Sequence, residues 1–212
     1  MASIRSGRSA EALEPLFDTT IIHNFALMDC AHLLFDLCGG RILLVHGIVG
    51  LEDGDEQEVE RLRASFMRRG IEAVGGSLEQ SRYLAAAGHI DRLLAARGDR
   101  LQVHVLGELE TREAVALQTP DPDRRRRFGL KARQLGAGES ACIAAAIHLG
   151  RPLATDDDDA RKTYLGLGGG AHYWTRDLVK IAVDRGLLTE SEAKREYEAL
   201  IARYRFFGIP WD

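Results

Sequence analysis

GAGESACIAAAIHLGRPLATDDDDAR, at residues 136–161, is the stretch that decides the fold. It opens as a glycine turn and continues as an alanine-rich apolar run that ends at Gly150, a residue that commonly ends helices. Residues 152–155 then read as a short buried strand, and four consecutive aspartates follow at 156–159. The stretch therefore predicts a turn, a buried helix, a short strand and an acidic loop.

The acidic residues of this stretch fall where a sheet would bring them to one edge. Glu139 lies at the helix start, where unpaired N–H groups favour a carboxylate. The aspartates lie at a strand end, where sites form in open α/β sheets. Carboxylates packed together raise one another's pKa, and Mg²⁺ or Mn²⁺, which prefer oxygen ligands, would relieve that repulsion. The alternative is that the run is a solvated turn that caps the next helix.

Another acidic residue at a strand end lies upstream, in the segment LEPLFDTT. Asp18 ends a strand predicted over residues 13–18. Thr19 and Thr20 then lead into an amphipathic helix predicted over residues 21–37, which two glycines end. Asp18 is therefore predicted beside a helix N-terminus at a strand's carboxyl end, and the alternative is that it is only a helix cap.

A further acidic candidate, Glu52, follows the second predicted strand, RILLVH at residues 41–46. That strand is apolar enough to be buried on both faces of a parallel sheet. Glu52 lies early in the next predicted helix, and the alternative is a solvated helix face, because its surroundings are charged.

Strands and helices alternate along the rest of the chain. The pattern predicts two helices within residues 55–97, a strand over 101–106, a helix over 108–117, an edge strand over 171–174, and helices beginning at Thr175 and Thr189. This alternation predicts an α/β fold with three α/β/α layers and a mainly parallel central sheet.

A basic run at residues 123–133 includes Arg124, Arg125, Arg126 and Arg127. The formal net charge is −4, so contact with nucleic acid would depend on such a local patch. Arginines beside a phosphate backbone release counterions and strengthen binding. The alternatives are a solvated helix face and contact with acidic residues of a partner protein.

Composition favours a globular cytoplasmic protein. Apolar residues make up 45% and charged residues 28% of the 212 residues, which is ordinary for a globular chain. No apolar run is long enough to span a membrane, and the N-terminal residues lack the apolar core of a secretory signal. Cys30, Cys38 and Cys142 lie in apolar helical patterns, which favours buried thiols in a reducing cytoplasm over disulfides or a zinc site.

Two other classes of site fit the sequence poorly. A phosphatase with an aspartyl nucleophile would need a second acid two residues after Asp18, where Thr20 stands. A calcium-binding loop needs spaced oxygen ligands and a central glycine, and DDDDARKTYLG has neither.

Three pieces of the chain, taken together, resemble PIN-domain nucleases. LFDTTIIHNFA is similar to the family's first strand and helix, with Asp18 at the first acidic position and with Thr19, Thr20 and Asn24 in typical places. LLVHGIVGLE is similar to the second strand and the acidic helix start, with Glu52 at the family's acidic position.

The third piece is the stretch at residues 136–161, which resembles the family's block of helix, strand and aspartates. It has Glu139 and Asp157 at the acidic positions, with Asp156 and Asp159 as neighbouring candidates. The resemblance covers residues 13–188 and implies a PIN-like nuclease domain there. The sequence pattern predicts a loose leader over residues 1–12 and a helical extension over residues 189–212, packed on that domain.

The resemblance implies a Mg²⁺- or Mn²⁺-dependent endoribonuclease, similar to VapC-like toxins of type II toxin–antitoxin systems. It implies the catalytic residues Asp18, Glu52, Glu139 and Asp157. It implies the metal ligands Asp18, Glu139, Asp157 and Asp156.

The implied partners are an RNA substrate, held in part by Arg124, Arg125, Arg126 and Arg127, together with an antitoxin protein and a second copy of the chain. The alternative is a non-catalytic PIN-like module that binds RNA or a protein.

Overall fold

A computed structural model describes residues 12–46, 58–131, 134–204 and 210–211. The strands are Leu16–Phe17 (β1), Ile42–Val45 (β2), Leu101–His104 (β3), Leu153–Ala154 (β4) and His172–Tyr173 (β5). The helices are Thr19–Leu27 (α1), His32–Leu37 (α2), Glu58–Glu72 (α3), Leu78–Ala95 (α4), Glu108–Gln118 (α5), Pro122–Phe128 (α6), Ala137–Leu149 (α7), Asp158–Gly166 (α8), Thr175–Asp184 (α9) and Glu190–Tyr204 (α10). No helix in these ranges is both long and apolar enough to cross a membrane.

The strands form one parallel sheet in the order β3-β2-β1-β4-β5. β1 is central, since Leu16 pairs with Leu43 of β2 on one side and with Leu153 of β4 on the other. The outer pairings, β2 with β3 and β4 with β5, are also parallel. With helices on both faces, the predicted three-layer α/β/α fold is confirmed.

The two helical layers pack differently against the sheet. α7 contacts β1, β2 and β4, and it also packs against α5 and α8. Its residues 140–146 are all buried, because apolar residues surround this helix instead of forming one stripe. In the other layer, α1 and α9 contact each other, and α2 and α4 pack against them.

The helix predicted over residues 21–37 is wrong as one element, because the chain breaks between α1 and α2. Asp29 has φ +59, a left-handed conformation that aspartate tolerates better than most residues. The backbone N–H of Cys30 donates to the carbonyl of Phe25 at 3.0 Å, which is the pattern of a Schellman helix end. Apolar residues continue through this turn, so the periodicity does not reveal the break.

Two helix boundaries follow the local signals in the sequence. Ser77 Oγ accepts the backbone N–H of Gln80 at 3.1 Å and caps α4, while the Gln80 side chain accepts the N–H of Gly76 at 2.7 Å, one residue before the N–H that a complete capping box uses. Gly150 has φ +60 and ends α7, which is the predicted C-terminal stop.

Candidate functional site

The ends of β1 and β4 lie where the chain changes direction across the sheet. From β1 the chain continues to β2 and β3 on one side, and it returns to β4 and β5 on the other. Ligands of open α/β sheets bind outside the carboxyl ends of the strands at such a switch point. Asp18 directly follows β1, and Asp156 and Asp157 follow β4 after Thr155.

Asp18 is buried, with 2% of its surface exposed, and hydrogen bonds fix both carboxylate oxygens. Oδ1 accepts the backbone N–H of Thr19 at 2.7 Å, which caps α1. Oδ2 accepts the hydroxyls of Thr20 and Thr155, each at 2.9 Å. Asp18 is therefore a helix cap, which was the alternative interpretation of the sequence. The hydroxyls of Thr20 and Thr155 also hold its carboxylate at the sheet edge.

The same two hydroxyls connect Asp18 to the aspartate run. Thr20 Oγ1 accepts the backbone N–H of Asp156 at 3.3 Å, and Thr155 Oγ1 accepts that of Asp157 at 3.1 Å. A threonine hydroxyl donates and accepts at once, so each one bridges the two strand ends. The loop after β4 is therefore tied to the end of β1.

Asp156 turns its carboxylate towards the start of α9. Its Oδ1 accepts the backbone N–H of Thr175 at 2.9 Å, and its Oδ2 accepts the Asn24 amide at 2.8 Å and the Thr175 hydroxyl. Burial raises the pKa of Asp156, the hydrogen bonds oppose this only in part, and the negative charge of Asp177 adds to the rise. A cation beside an ionised Asp156 would therefore be favourable.

Asp158 and Asp159 are engaged in structural contacts. Hydrogen bonds from Lys162 and Arg161, at 2.8 and 2.7 Å, lower the pKa of Asp158. Asp159 is buried, and its Oδ1 accepts the backbone N–H of Lys131 at 2.9 Å. These contacts connect the aspartate run to the rest of α8 and to the segment after α6.

Asp157 differs from its immediate neighbours Asp156 and Asp158 because contacts within the described residues engage only one of its two carboxylate oxygens. Oδ1 accepts the backbone N–H of Ala160 at 2.6 Å and caps α8, so the capping alternative holds for this residue. Its Oδ2 has no hydrogen bond or ion pair within the described residues. Asp157 thus combines a fixed orientation with an available oxygen.

Glu139 lies at the same sheet edge, in the first turn of α7. Its Oε2 accepts the backbone N–H of Gly136 at 2.9 Å. Because α7 leads directly into β4, it runs antiparallel to the strands and begins at their carboxyl edge. One turn further, the Cys142 thiol donates to the Phe17 carbonyl at 3.6 Å, so this part of α7 packs over the end of β1.

The described carboxylates share an edge but do not form one compact group. Within the ranges that the structure describes, no three His, Cys, Asp or Glu side chains are close enough to hold a metal ion. Glu52 lies outside the described residues. The structure thus ties Asp18 to the Asp156 and Asp157 loop and puts Glu139 at the same edge.

Thr175 is a partner of Asp156 that the sequence analysis predicts only as a helix start. The signal that reveals its role is its position after the edge strand β5, because parallel strands end at one edge of the sheet. Asn24 also contacts Thr175, with 3.3 Å between Nδ2 and Oγ1. Asn24 and Thr175 together orient the Asp156 carboxylate.

The His23 side chain is hydrogen-bonded to the Asn24 side chain and helps to orient it. Its Nδ1 lies 3.0 Å from Asn24 Oδ1, and its ring stacks on Phe66 with 5.3 Å between centroids. Burial lowers the pKa of His23, the hydrogen bond to Asn24 opposes this, and the positive charge of Arg69 lowers the pKa further.

Replacing His23 by glutamine should make stability less dependent on pH in the acidic range. With a folded-state pKa below the ordinary value of 6.5, the unfolded state binds more protons, so stability falls as the pH drops below about 6.5. Urea unfolding at pH 7.5 and 5.5 should show a larger loss of unfolding free energy for the wild type than for His23→Gln. Equal losses in the two proteins would contradict this prediction.

Residues 123–128 of the predicted basic run lie in α6, and the four arginines of this helix have different roles. Arg124 donates to three carbonyl groups at the end of α5, at 2.8 to 3.0 Å, and so caps that helix. Arg125, Arg126 and Arg127 are exposed. Arg125 donates to carbonyls just beyond α6, Arg126 pairs with an acid of its own helix, and Arg127 lies over the neighbouring Phe128 ring.

α6 lies beside α8, the helix that Asp157 caps. The backbone N–H of Lys131 binds Asp159, and Lys162 Nζ donates to the Gly129 carbonyl at 3.2 Å. The Phe128 ring packs on Gly166 at the last turn of α8, so the exposed arginines lie towards the end of α8 that is farther from the aspartate run.

Neither a scan against protein-family models nor a search of curated proteins finds a match to this chain. The resemblance to PIN-domain nucleases therefore stays a prediction from the residues of this sequence.

Proposed function

We propose that the protein is a metal-dependent endoribonuclease of the PIN type, whose site lies at the carboxyl ends of β1 and β4. The observation that carries the proposal is the hydroxyl-bridged pairing of Asp18 with the Asp156 and Asp157 loop at the switch point of the sheet. Buried and half-buried carboxylates at that point provide the hard oxygen donors that Mg²⁺ and Mn²⁺ prefer.

The donor set fits a divalent cation in its chemistry and its support. Asp18, Glu139 and Asp157 would hold the ion, with Asp156 beside them and Glu52 as a ligand through water or as a proton acceptor. Hydroxyl and amide groups already orient the carboxylates of Asp18 and Asp156, and such outer contacts are typical around metal ligands.

A bound Mg²⁺ or Mn²⁺ ion would activate a water and stabilise charge on the scissile phosphate. Hydrogen bonds within the chain already hold the carboxylates in position for this chemistry. Thr20 and Thr155 fix Asp18, and the α8 cap fixes Asp157 with one oxygen available. Thr175 and Asn24 hold the buried carboxylate of Asp156.

Arg125, Arg126 and Arg127 are the proposed phosphate contacts, whereas Arg124 is a helix cap. Changing all three exposed arginines to alanine should reduce the slope of log affinity for single-stranded RNA against log salt by about 0.7 for each phosphate that is no longer neutralised. Arg124→Ala is the matched control. It should lower the free energy of unfolding by roughly 1 kcal/mol and leave the salt slope unchanged. An unchanged slope in the triple variant would remove α6 from the RNA surface.

The activity assay is cleavage of end-labelled single-stranded RNA, with single-stranded DNA of the same sequence in parallel. Cleavage of RNA with Mg²⁺ or Mn²⁺, and none with EDTA, is the expected result. Metal-independent cleavage, or an EDTA-treated control as active as the metal-loaded protein, would contradict the proposed chemistry.

A non-catalytic RNA- or protein-binding module is the second candidate. One observation favours it: within the described residues, no three candidate ligands are grouped closely enough for a metal ion. A folded protein that binds RNA with metal present, and leaves it intact, would support this candidate.

The proposed physiological setting follows from the resemblance alone. The protein would act in the cytoplasm as a toxin, with an antitoxin protein as its inhibitor, and would form a homodimer. Co-purification with the product of a neighbouring gene, and size-exclusion chromatography coupled to light scattering, test these two associations.

A further inference from the structure

Trp174 lies at the same sheet edge as the proposed metal site. It follows β5 directly and precedes Thr175, whose backbone N–H donates to Asp156 Oδ1 at 2.9 Å. The backbone N–H of Trp174 donates to Asp177 at 3.1 Å and helps to start α9. The indole ring has no part in this cap, so the backbone alone accounts for the helix start.

The indole ring lies in a small basic and aromatic cluster. The Arg161 guanidinium lies 5.4 Å from the ring centroid, over one face, and His172 meets the ring edge-on at 6.1 Å with an interplanar angle of 77°. Arg161 is anchored by Asp158 at 2.7 Å. Its Nε is buried and has no hydrogen-bond partner within the described residues.

Trp211, the second tryptophan of the chain, has a packing role and is a comparison for Trp174. Trp211 is 6% exposed, and its ring packs against Tyr197 at 5.7 Å. Trp174 is instead partly exposed, and its ring lies against the polar side chains of Arg161 and His172. Its placement needs another explanation.

We propose that Trp174 is a stacking platform for one base of a single-stranded RNA whose backbone passes the carboxylate edge. Aromatic rings bind the bases of single strands by stacking, and a neighbouring arginine adds a cation–π contribution and attracts the backbone. The base would occupy the face opposite Arg161. This inference rests on the proposed function, because it uses the same RNA and the same sheet edge.

The test measures how binding depends on a single base. Full-length protein carries Asp18→Asn, which prevents cleavage, and Trp211→Phe, which leaves Trp174 as the single tryptophan of the chain. It is titrated in Mg²⁺ with a single-stranded RNA oligonucleotide and with a series in which one abasic site moves along the strand. Trp174→Phe and Trp174→Ala, which have no tryptophan in this background, are compared with the Trp174 protein by the fluorescence anisotropy of end-labelled oligonucleotides, and circular dichroism checks that each variant is folded.

We expect RNA to quench Trp174 fluorescence. One abasic position should weaken binding to the Trp174 protein by about 5- to 150-fold. The Trp174→Ala variant should bind intact RNA about as weakly and be insensitive to that position, with Trp174→Phe between the two. An alanine variant that binds as tightly as Trp174, or that keeps full sensitivity to the abasic site, overturns the stacking role.

The two proposals fail in different ways. If the folded protein binds no RNA oligonucleotide, both are overturned. If binding shows the expected dependence on Trp174 and on one base, but the protein without the Asp18→Asn change does not cleave RNA with metal, the stacking platform stands and the nuclease is rejected.

Discussion

Asp157→Asn should lower metal-dependent RNA cleavage by more than about 100-fold while leaving the fold intact. Removing an outer-shell partner alone typically costs 10- to 100-fold, so removing a ligand should cost more. Asparagine is as good a helix cap as aspartate, so the hydrogen bond to Ala160 that begins α8 should persist. The rates are compared under single-turnover conditions at saturating Mg²⁺.

Asp158→Asn is the matched control for this change. It removes the same charge one residue away, from a carboxylate whose two oxygens pair with Arg161 and Lys162. Its activity should stay within a few-fold of the wild type. Equal losses in both variants would indicate an effect of net charge on RNA binding and would contradict the assignment of Asp157.

Tyr164→Ala should lower the free energy of unfolding by about 3–5 kcal/mol, the usual cost of removing a buried aromatic ring. Tyr164 is 1% exposed. Its hydroxyl donates to the Arg151 carbonyl and accepts the Gly170 N–H, each at 2.9 Å. The ring also packs so closely on Gly169 that an added Cβ there would lie 2.5 Å from it. Urea denaturation measures the change.

Tyr164→Phe separates packing from hydrogen bonding at this position. It keeps the ring and removes the two hydrogen bonds of the hydroxyl, whose net contribution is about 1 kcal/mol each. The phenylalanine variant should therefore lose about 2 kcal/mol, less than the alanine variant loses. A loss as large in Tyr164→Phe would show that the hydroxyl, and not the ring, holds the segment between α8 and β5.

The sheet and its edge could be predicted because each signal is local. Short apolar strands that end in Asp18 and in the aspartate run, with a buried helix between Gly136 and Gly150, determine a parallel arrangement by themselves. The position of the switch point depends on the order of the strands in the sheet, and the sequence pattern does not reveal that order. That order is what brings Asp18 and Asp157 to adjacent strand ends.

Other features depend on contacts between distant segments and could not be read from a pattern. The break at Asp29 lies within a continuous apolar periodicity, and the side chain that meets Asp29 there, His89, comes from another helix. Likewise, the sequence shows Arg124 and Arg127 as equivalent members of one run. Only the packing of α5 against α6 makes Arg124 a cap and leaves Arg127 exposed.

The most direct test of the central claim is a crystal structure of the protein soaked in Mn²⁺, with anomalous diffraction to locate the ion. We expect an anomalous peak at the ends of β1 and β4, with carboxylate oxygens of Asp18 and Asp157 about 2.0–2.5 Å from it. Asp157→Asn crystals should lose the peak. A well-ordered structure at saturating Mn²⁺ with no peak at this edge, or with a peak only elsewhere, would contradict the proposed metal centre.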